Sequence, residues 1–393
     1  MTSTSARLQE VRSYFTNGDY HVGYRRLLDS AIETQDTAVF EYTLAFCDWY
    51  DQFQVEQQKD PTVLLEKVDG LLEKITGSPA SAPPSTAEPV IRLANVSKTY
   101  HSGSFGLKDI NFDLHAGQII GLVGENGNGK TTLLRLIYGE LQPDSGSVKY
   151  KLDELPADAP FYDTKTRLSF IPQRPNPWYG SLMANLQFTA THYGFKGRDN
   201  ILWAEMVCAR MGLRAYRGFS WSRISSGYKM RFELAKALIK KPQVLLLDEP
   251  LANLDMLAQQ VILEDLRYLA QSEKMPIGVI LSSQQLYEVE KVSEQVVFLK
   301  NGHPKYQRTI TSPAEDTAGE QLVFEIETTA GREQLQQVFP AGLQNISFNG
   351  GVYLLYFDAG ADASSIITRL GESKIPVKYF RDISSSSRRF FNA

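Results

Sequence analysis

The sequence predicts an α/β fold on a mixed sheet, with a small all-α segment before it and a small α+β segment after it. Three observations carry this prediction. The glycine-rich stretch GENGNGKT at 124 to 131 lies between an apolar run and a stretch that favours a helix. A second apolar run ends in two carboxylates, QVLLLDEP at 243 to 250. Helical spacing before residue 78 gives way after residue 302 to alternating strand and helix patterns.

The glycine-rich stretch has the setting of a phosphate-binding P-loop. It follows the apolar run Ile119 to Val123 and precedes a helix-favouring stretch from Thr132. Glycines let the backbone N–H groups and the helix N-terminus point at phosphates. Lys130 would reach the β and γ oxygens, and Thr131 would offer a hydroxyl to Mg²⁺. A glycine-rich turn also matches by chance, but here both flanking elements are present, so we predict a nucleoside triphosphate site.

The second apolar run predicts a strand that ends at Asp248 and Glu249, just before Pro250. Because side chains alternate across a strand, one carboxylate can serve the Mg²⁺ shell and the other the attacking water. As general base, Glu249 would raise the rate of hydrolysis by about 10² to 10⁴-fold. Alone, such a run also fits a buried strand with a solvated end. Together with the P-loop it predicts a nucleotide-hydrolysing site.

The segment ISSGY at 224 to 228 begins an amphipathic helix, which Ser225 would cap by default. The chain thus has a P-loop, then FIPQ ending at Gln173, then this serine-glycine helix start, the carboxylate-ended strand and LANLD ending at Asp255. This order resembles the ATPase cassette of ABC transporters. The family signature reads LSGGQ; this chain departs from it but keeps Ser225 and Gly227.

The resemblance covers residues 90 to 302 and implies roles for individual residues. It implies that Tyr100 stacks on adenine, although packing alone also explains a tyrosine there. Gln173 would touch Mg²⁺ or the lytic water, and Asp255 would link the two sites of a dimer. The implied catalytic residues are Glu249, Gln284 and Gln173. The implied Mg²⁺ ligands are Thr131, Gln173 and Asp248. The implied nucleotide-binding residues are Tyr100, Gly124, Asn126, Gly127, Gly129, Lys130, Thr131, Thr132, Ser225, Gly227 and Asp255.

Gln284 occupies the position that corresponds to the family's switch histidine. An amide donates a hydrogen bond to the γ-phosphate but cannot carry an imidazolium charge. Because positioning and electrostatics dominate phosphoryl transfer and Glu249 is intact, we predict an active ATPase that uses ATP and Mg²⁺. The alternative is a soluble nucleotide switch with slow turnover and no permease.

The resemblance also implies partners. ATP would join two copies of the chain into a homodimer, which would drive a separately encoded membrane permease, with export as the expected direction. The expected location is cytoplasmic, on the inner face of the cell membrane. Trp178 and Tyr179 are candidates for a permease contact or, equally, for the core of the helical subdomain. A net charge of -4 gives no basic footprint for nucleic acid, and no apolar stretch approaches the roughly 18 residues of a membrane span.

We predict four parts of the chain: a helical bundle at 1–77, a proline, serine and alanine linker at 78–89, the cassette at 90–302 and a ferredoxin-like domain with a tail at 303–393. The last part has the order β-α-β-β-α-β, which resembles C-terminal domains of ABC-2-type exporter ATPases. The N-terminal bundle either docks a protein partner or merely packs on the cassette. Cys47 and Cys208 are expected to be buried thiols.

Overall fold

The computed structural model describes residues 3–56, 61–78, 88–100, 106–153, 155–156, 160–309, 322–340, 342–349, 351–358 and 362–384. The chain forms two compact units, residues 1–308 and 309–393. Most of the predicted linker (residues 79–87) and the tail from residue 385 lie outside the described residues.

Helices fill the chain before residue 78, as the apolar spacing predicts. They are α1 Ser3–Thr16, α2 Tyr20–Thr34, α3 Thr37–Glu56 and α4 Pro61–Gly77. Gly18, with a φ of 85°, turns the chain between α1 and α2. Gln35, with a φ of 52°, ends α2 in the left-handed conformation.

A three-stranded antiparallel sheet follows. Its strands are β1 Pro89–Thr99, β2 Gly106–His115 and β4 Ser145–Tyr150, in the order β2-β1-β4. Apolar side chains of β1 and β2 alternate with exposed ones, which is the pattern of strands with one buried face. This sheet therefore packs its apolar face on the rest of the cassette.

The main sheet has six strands in the order β5-β6-β7-β3-β8-β9. They are β3 Ile119–Val123, β5 Leu168–Ile171, β6 Val244–Leu247, β7 Gly278–Ser283, β8 Gln295–Lys300 and β9 His303–Thr309. The first five in that order pair in parallel. β3, β6 and β7 are buried throughout, as in sheets covered on both faces. β9 continues this sheet past Gly302, where the predicted cassette ends.

Seven helices of the described cassette residues flank the sheets. They are α5 Lys130–Ile137, α6 Phe161–Thr166, α7 Leu182–His192, α8 Gly197–Arg210, α9 Ser226–Ile239, α10 Met256–Ala270 and α11 Leu286–Glu290. One apolar core joins the antiparallel sheet, the main sheet and α5, with Ile91, Ile280 and Leu134 among its buried members. None of the described helices is both long enough and apolar enough to cross a membrane.

The N-terminal helices pack on this cassette, within the same compact unit. α2 and α3 both contact α8. Phe40 of α3 stacks on Trp203 of α8, with ring centroids 5.8 Å apart. Cys47 and Cys208 are buried free thiols, as predicted, and burial raises the pKa of Cys47 to about 11.

The second unit has the ferredoxin-like arrangement that its sequence predicts. Its elements are β10 Leu322–Thr328, α12 Arg332–Val338, β11 Leu343–Asn349, β12 Val352–Phe357, α13 Ala363–Glu372 and β13 Val377–Asp382. The strand order is β11-β12-β10-β13, with antiparallel pairs. Leu335 of α12 and Ile366 of α13 pack on Phe324 and Leu355 of the sheet.

Candidate functional site

The predicted site residues follow strands whose carboxyl ends meet at one edge of the main sheet. β3 leads into the glycine-rich loop, and β5 leads toward Gln173. β6 ends just before Asp248 and Glu249, and β7 ends just before Gln284. Since β5, β6, β7 and β3 are parallel neighbours, these segments all emerge on the same side. This edge is where ligands bind in open α/β sheets.

The glycine-rich loop needs glycine for two separate reasons. A Cβ on Gly124 would lie 2.5 Å from the carbonyl oxygen of Leu299, which is closer than side chains approach. Gly127 has a φ of 83°, in the left-handed region that favours glycine. Asn126 is exposed in the same loop, and Gly129 is the N-cap of α5. The loop therefore ends at the helix N-terminus, where the first N–H groups have no partner within the helix.

Lys130 is the first residue of α5, and its side chain is only 5% exposed. Its ammonium donates to the carbonyl oxygens of Gly124 at 2.6 Å and Glu125 at 3.2 Å. Its Nζ also lies 3.0 Å from Oε1 of Glu249. The lysine thus joins the glycine-rich loop to the carboxylate end of β6. A buried cation at this place suits the β and γ oxygens of a triphosphate.

Thr131 and Asp248 bring two oxygen donors together. Thr131 Oγ1 donates to Asp248 Oδ2 at 2.7 Å, and Ser282 Oγ donates to Asp248 Oδ1 at 2.9 Å. Hydroxyl and carboxylate oxygens are the hard ligands that Mg²⁺ prefers. The donor set therefore fits Mg²⁺. Thr132, the next residue of α5, is half-buried.

Glu249 is held from several directions. Its φ of 51° lies in the left-handed region, which is uncommon for a residue other than glycine and recurs at functional sites. Its backbone N–H donates to Ser282 Oγ at 2.8 Å. Gln284 Nε2 donates to Glu249 Oε2 at 3.4 Å, on the carboxylate that also contacts Lys130. The structure thus brings the predicted base and the amide in the switch position into contact.

Gln173 and Tyr100 lie at the ends of two different sheets. Gln173 is exposed two residues beyond β5, next to the strand that leads to Asp248. The backbone N–H of Asp248 donates to the carbonyl oxygen of Ile171 at 2.9 Å, which ties the two strand ends together. Tyr100 directly follows β1 and is 38% exposed. Contacts of these two side chains with a nucleotide remain predictions.

The serine-glycine segment lies against LANLD rather than against the P-loop. Ser225 is the N-cap of α9, and its Oγ accepts from the backbone N–H of Tyr228. Ser226 Oγ donates to the carbonyl oxygen of Asn253 at 3.0 Å. Asp255 is the N-cap of α10 and accepts from the N–H of Ala258 at 2.9 Å. Two helices therefore begin side by side, and their N-termini form a second polar surface.

Gly227 belongs to that second surface. A Cβ added to Gly227 would lie 3.6 Å from the Cβ of Ala258, which is ordinary contact, and its φ is not in the left-handed region. Neither backbone strain nor lack of space in this chain requires a glycine here. A glycine at this position leaves the backbone at the start of α9 open to close approach.

The structure adds residues that sequence reasoning missed. Ser282 is fully buried and bridges Asp248 to the backbone of Glu249. Asn128 is buried in the glycine-rich loop, and its Oδ1 accepts from the backbone N–H of Asn301 at 2.7 Å, which anchors the loop to the end of β8. The clue to Ser282 was a polar residue in the otherwise apolar run VILSS. A pattern read along one strand does not show that it contacts the end of another.

Trp178 and Tyr179 differ in their surroundings. The indole N–H of Trp178 donates to Glu233 Oε1 at 3.2 Å, and the ring packs edge-on against Phe232 with centroids 5.8 Å apart. The ammonium of Lys236 lies 3.6 Å from the same ring centroid. Trp178 therefore packs on α9, whereas Tyr179 is 97% exposed. Of the two, only Tyr179 presents a whole aromatic ring to solvent.

Comparison with known proteins adds a family to this geometry. Residues 107–252 match the family model described as ABC transporter. A phosphonates import ATP-binding protein PhnC of Bdellovibrio bacteriovorus is 32% identical over 230 residues, which are 55% of this chain and 87% of that protein. The ABC transporter ATP-binding protein NatA of Bacillus subtilis is 27% identical over 221 residues, with 56% and 87% covered.

Solved structures agree on the fold. The structure of cbiO1 from Clostridium perfringens, described as part of the ABC transporter complex cbiONQ, aligns with a TM-score of 0.52 and 23% identity. The alignment covers 57% of this chain and 89% of that one. Since the relative at 32% identity is matched over 87% of its length, the chain belongs to the ABC transporter family and contains its ATP-hydrolysing nucleotide-binding domain.

Proposed function

We propose that this protein is the ATP-driven subunit of an ABC transporter, in which two copies enclose ATP and drive a separate membrane permease. The observation that carries the proposal is the cluster at the sheet edge. Lys130, Thr131 and Asp248 hold positions suited to phosphate and Mg²⁺, with Glu249 and Gln284 beside them. These side chains are linked by contacts of 2.7 to 3.4 Å.

In this proposal the residues divide the work. The loop amides and Lys130 hold the phosphates and orient the γ-phosphoryl group. Thr131, Asp248 and the predicted ligand Gln173 would hold Mg²⁺, which neutralises developing charge when bound.

Glu249 accepts a proton from the attacking water. Gln284 orients that carboxylate and donates to the γ-phosphate, and Tyr100 stacks on the adenine.

The proposed dimer is based on the second polar surface. Ser225, Gly227 and Asp255 lie at the N-termini of α9 and α10, and we propose that they face the nucleotide held by a second copy. Gly227 has no side chain and therefore permits a close approach to the backbone at this place. Because ATP can only shift an equilibrium toward the state that binds it better, the closed dimer must bind ATP more tightly than the separate copies.

The same proposal includes a permease contact, a direction of transport and a location for the protein in the cell. Tyr179 is the exposed aromatic residue that we place against the permease, on the inner face of the cell membrane. Export is the direction predicted from the likeness of the C-terminal unit to those of exporter ATPases. The names of the relatives PhnC and PotA include import, so the direction stays a prediction. A protein partner of the N-terminal helices also stays a prediction.

Co-purification tests the proposal. The tagged protein, expressed in its native host and extracted from membranes in mild detergent, should carry a polytopic membrane protein in stoichiometric amount. That protein would be the permease, and its identity would give the direction of transport. Soluble partners alone, without membrane association, would contradict the transporter.

A soluble nucleotide switch is the second candidate, because two observations favour it. Gln284 stands where the family has a histidine, and Tyr228 ends the signature segment where the family has glutamine. The Tyr228 ring lies against that of Tyr216, tilted by 40° with centroids 4.0 Å apart, so an aromatic pair occupies the position of the family's glutamine amide. A parent protein that hydrolyses ATP no faster than Glu249→Gln would support this second function.

A further inference from the structure

A buried ionic cluster lies where the N-terminal helix α2 meets the cassette. Arg210 of α8, whose side chain is fully buried, pairs through Nε with Asp29 of α2. Its Nη1 lies 2.8 Å from Asp265 Oδ1 on α10. Arg25 of α2 also pairs with Asp265, and its guanidinium lies 3.5 Å from the carbonyl oxygen of Val261. Asp265 thus receives one arginine from α8 and one from the N-terminal helix.

Charges this deeply buried are costly unless every partner is in place. Moving an ion out of water costs several kcal/mol, which only close pairing offsets. The guanidinium is planar and binds carboxylates in a fixed geometry, so these pairs set orientation as well as distance. Asp265 is 2% exposed and Arg25 is 11% exposed. The cluster therefore fixes how α2, α8 and α10 pack on one another.

Of the three helices that meet at this cluster, α10 begins at the second polar surface. α10 starts at its N-cap Asp255, and α9, which packs against α8, starts at its N-cap Ser225. Arg231 of α9 lines the same cavity as Asp265, and burial lowers the pKa of Arg231 although the Asp265 carboxylate opposes that shift. α10 spans ten residues from its N-cap to Asp265, or about 15 Å of helix. A rigid helix transmits a change of tilt at one end to the other.

The N-terminal helices also reach the signature segment itself. The turn between α1 and α2 and the first turn of α9 line one cavity of about 700 Å³. Tyr20, His21 and Arg25 form its N-terminal side, and Tyr228 and Arg231 form its cassette side. The N-terminal part of the chain is therefore next to the residues that would meet the second copy.

We infer that α2 is a positioning part of the ATPase site, in which Arg25, through Asp265, sets where α10 presents Asp255 beside Ser225 and Gly227. Arg25 is a positioning residue and does not touch the nucleotide. This inference rests on the proposed function, because it concerns the half-site that a second copy completes. The half-site with Lys130, Thr131 and Glu249 does not depend on it.

The chain supplies a matched control. Arg198 of α8 also pairs with the N-terminal helices, through Glu41 of α3 at 2.6 Å, but both side chains are exposed. Such a surface pair contributes about 0 to 1 kcal/mol. It joins the N-terminal helices to α8 without contacting α10. Glu41→Ala therefore removes a docking contact but leaves the cluster intact.

The experiment compares Arg25→Ala, Arg25→Lys and Glu41→Ala in the full-length protein. Each variant is assayed for kcat at saturating ATP, and for ATP binding at a dilution that keeps the protein monomeric. Each is also combined with Glu249→Gln, and the dimer dissociation constant with ATP and Mg²⁺ is measured by analytical ultracentrifugation. Circular dichroism melts establish the folded fraction at the assay temperature.

We expect Arg25→Ala to lower kcat about tenfold and to weaken the dimer by a similar factor, because small misplacements far from the chemistry carry such costs. ATP binding to the monomer should stay within about twofold of the parent, since the P-loop does not change. Arg25→Lys keeps the charge but lacks the planar guanidinium that fixes the geometry, so it should show a smaller but measurable loss of both. Glu41→Ala should match the parent.

Four results overturn the inference. Arg25→Ala can match Glu41→Ala in kcat and in dimer affinity, or it can lose activity only in proportion to its unfolded fraction. If Arg25→Ala does not fold, Arg25→Lys decides, and an unchanged dimer constant and kcat in a less stable lysine variant count against the inference. If Glu249→Gln does not dimerise with ATP even when Arg25 is intact, the proposed function fails first, and the inference with it.

Discussion

At the residue scale, one carboxylate carries the chemistry that we propose. Glu249 lies beside Lys130 and Gln284, in a backbone conformation that few residues other than glycine adopt. Glu249 precedes Pro250, and a residue before proline is usually pushed toward extended conformations, so the local preference opposes the observed one. The surrounding contacts, including the hydrogen bond to Ser282, must hold it there.

Replacing Glu249 by glutamine removes the proton acceptor but keeps the size of the side chain. We expect kcat to fall about 10² to 10⁴-fold while the affinity for ATP is retained, because the base acts in the chemical step. Phosphate release and equilibrium nucleotide binding measure the two effects. Glu264→Gln, on the exposed side of α10, is the control and should match the parent. Equal rates for Glu249→Gln and the parent would remove Glu249 from the mechanism.

Ser282→Ala tests whether the bridge between Asp248 and Glu249 matters. Its loss leaves a buried backbone N–H and one carboxylate oxygen without this partner, which costs about 1 to 3 kcal/mol of stability. We expect kcat to fall as well, because both carboxylates lose orientation. Ser169→Ala is the control, since within the described chain the buried Ser169 Oγ has no hydrogen-bond partner. A Ser282→Ala variant as stable and active as Ser169→Ala would refute the bridge.

At the element scale, local patterns predicted most of the architecture. The strand, loop and helix around Lys130, the four N-terminal helices and the ferredoxin-like order of the second unit all follow from periodicity and turn residues. Contacts between distant segments did not follow. Arg210 and Asp265 lie in amphipathic helices where charged residues usually face solvent, yet they are buried together. Only the packing of α2 on the cassette explains this.

The N-cap of α9 has both a structural and a proposed functional role, and a second helix separates them. Ser225 caps α9, and Ser181 caps α7 through an equivalent bond to the N–H of Ala184. Either alanine variant should lose about 0.5 to 2 kcal/mol of stability. We expect only Ser225→Ala also to lose ATP hydrolysis at a temperature where both are folded. Equal activity of the two variants would show that Ser225 acts only as a helix cap.

At the scale of the whole molecule, the buried cluster should make stability depend on acid. Burial alone would raise the pKa of Asp265, but Arg210 and Arg25 hold that pKa below its usual value. A carboxyl with a lowered folded-state pKa adds stability above its unfolded pKa, about 3.9, and loses it as the pH falls toward the folded value. The packing of the N-terminal helices on the cassette should therefore weaken in acid.

Asp265→Asn tests this dependence in thermal melts across a pH series. At neutral pH the variant should be less stable by about 3 to 5 kcal/mol, because a buried arginine loses its carboxylate. Its stability should also fall less steeply than that of the parent as the pH drops below about 4. Asp113→Asn is the control, because its pair with Arg92 is exposed. Parallel pH profiles for the parent and Asp265→Asn would show that Asp265 does not cause the loss of stability in acid.

The central claim is that one copy of this chain holds only half of each ATP site. The mass of Glu249→Gln in solution, measured by multi-angle light scattering with ATP and Mg²⁺ and again with ADP, tests it most directly. We predict the mass of two chains with ATP and of one chain with ADP, because only the bound γ-phosphate would join the P-loop of one copy to Ser225 and Gly227 of the other. A single-chain mass with ATP bound would contradict the composite site.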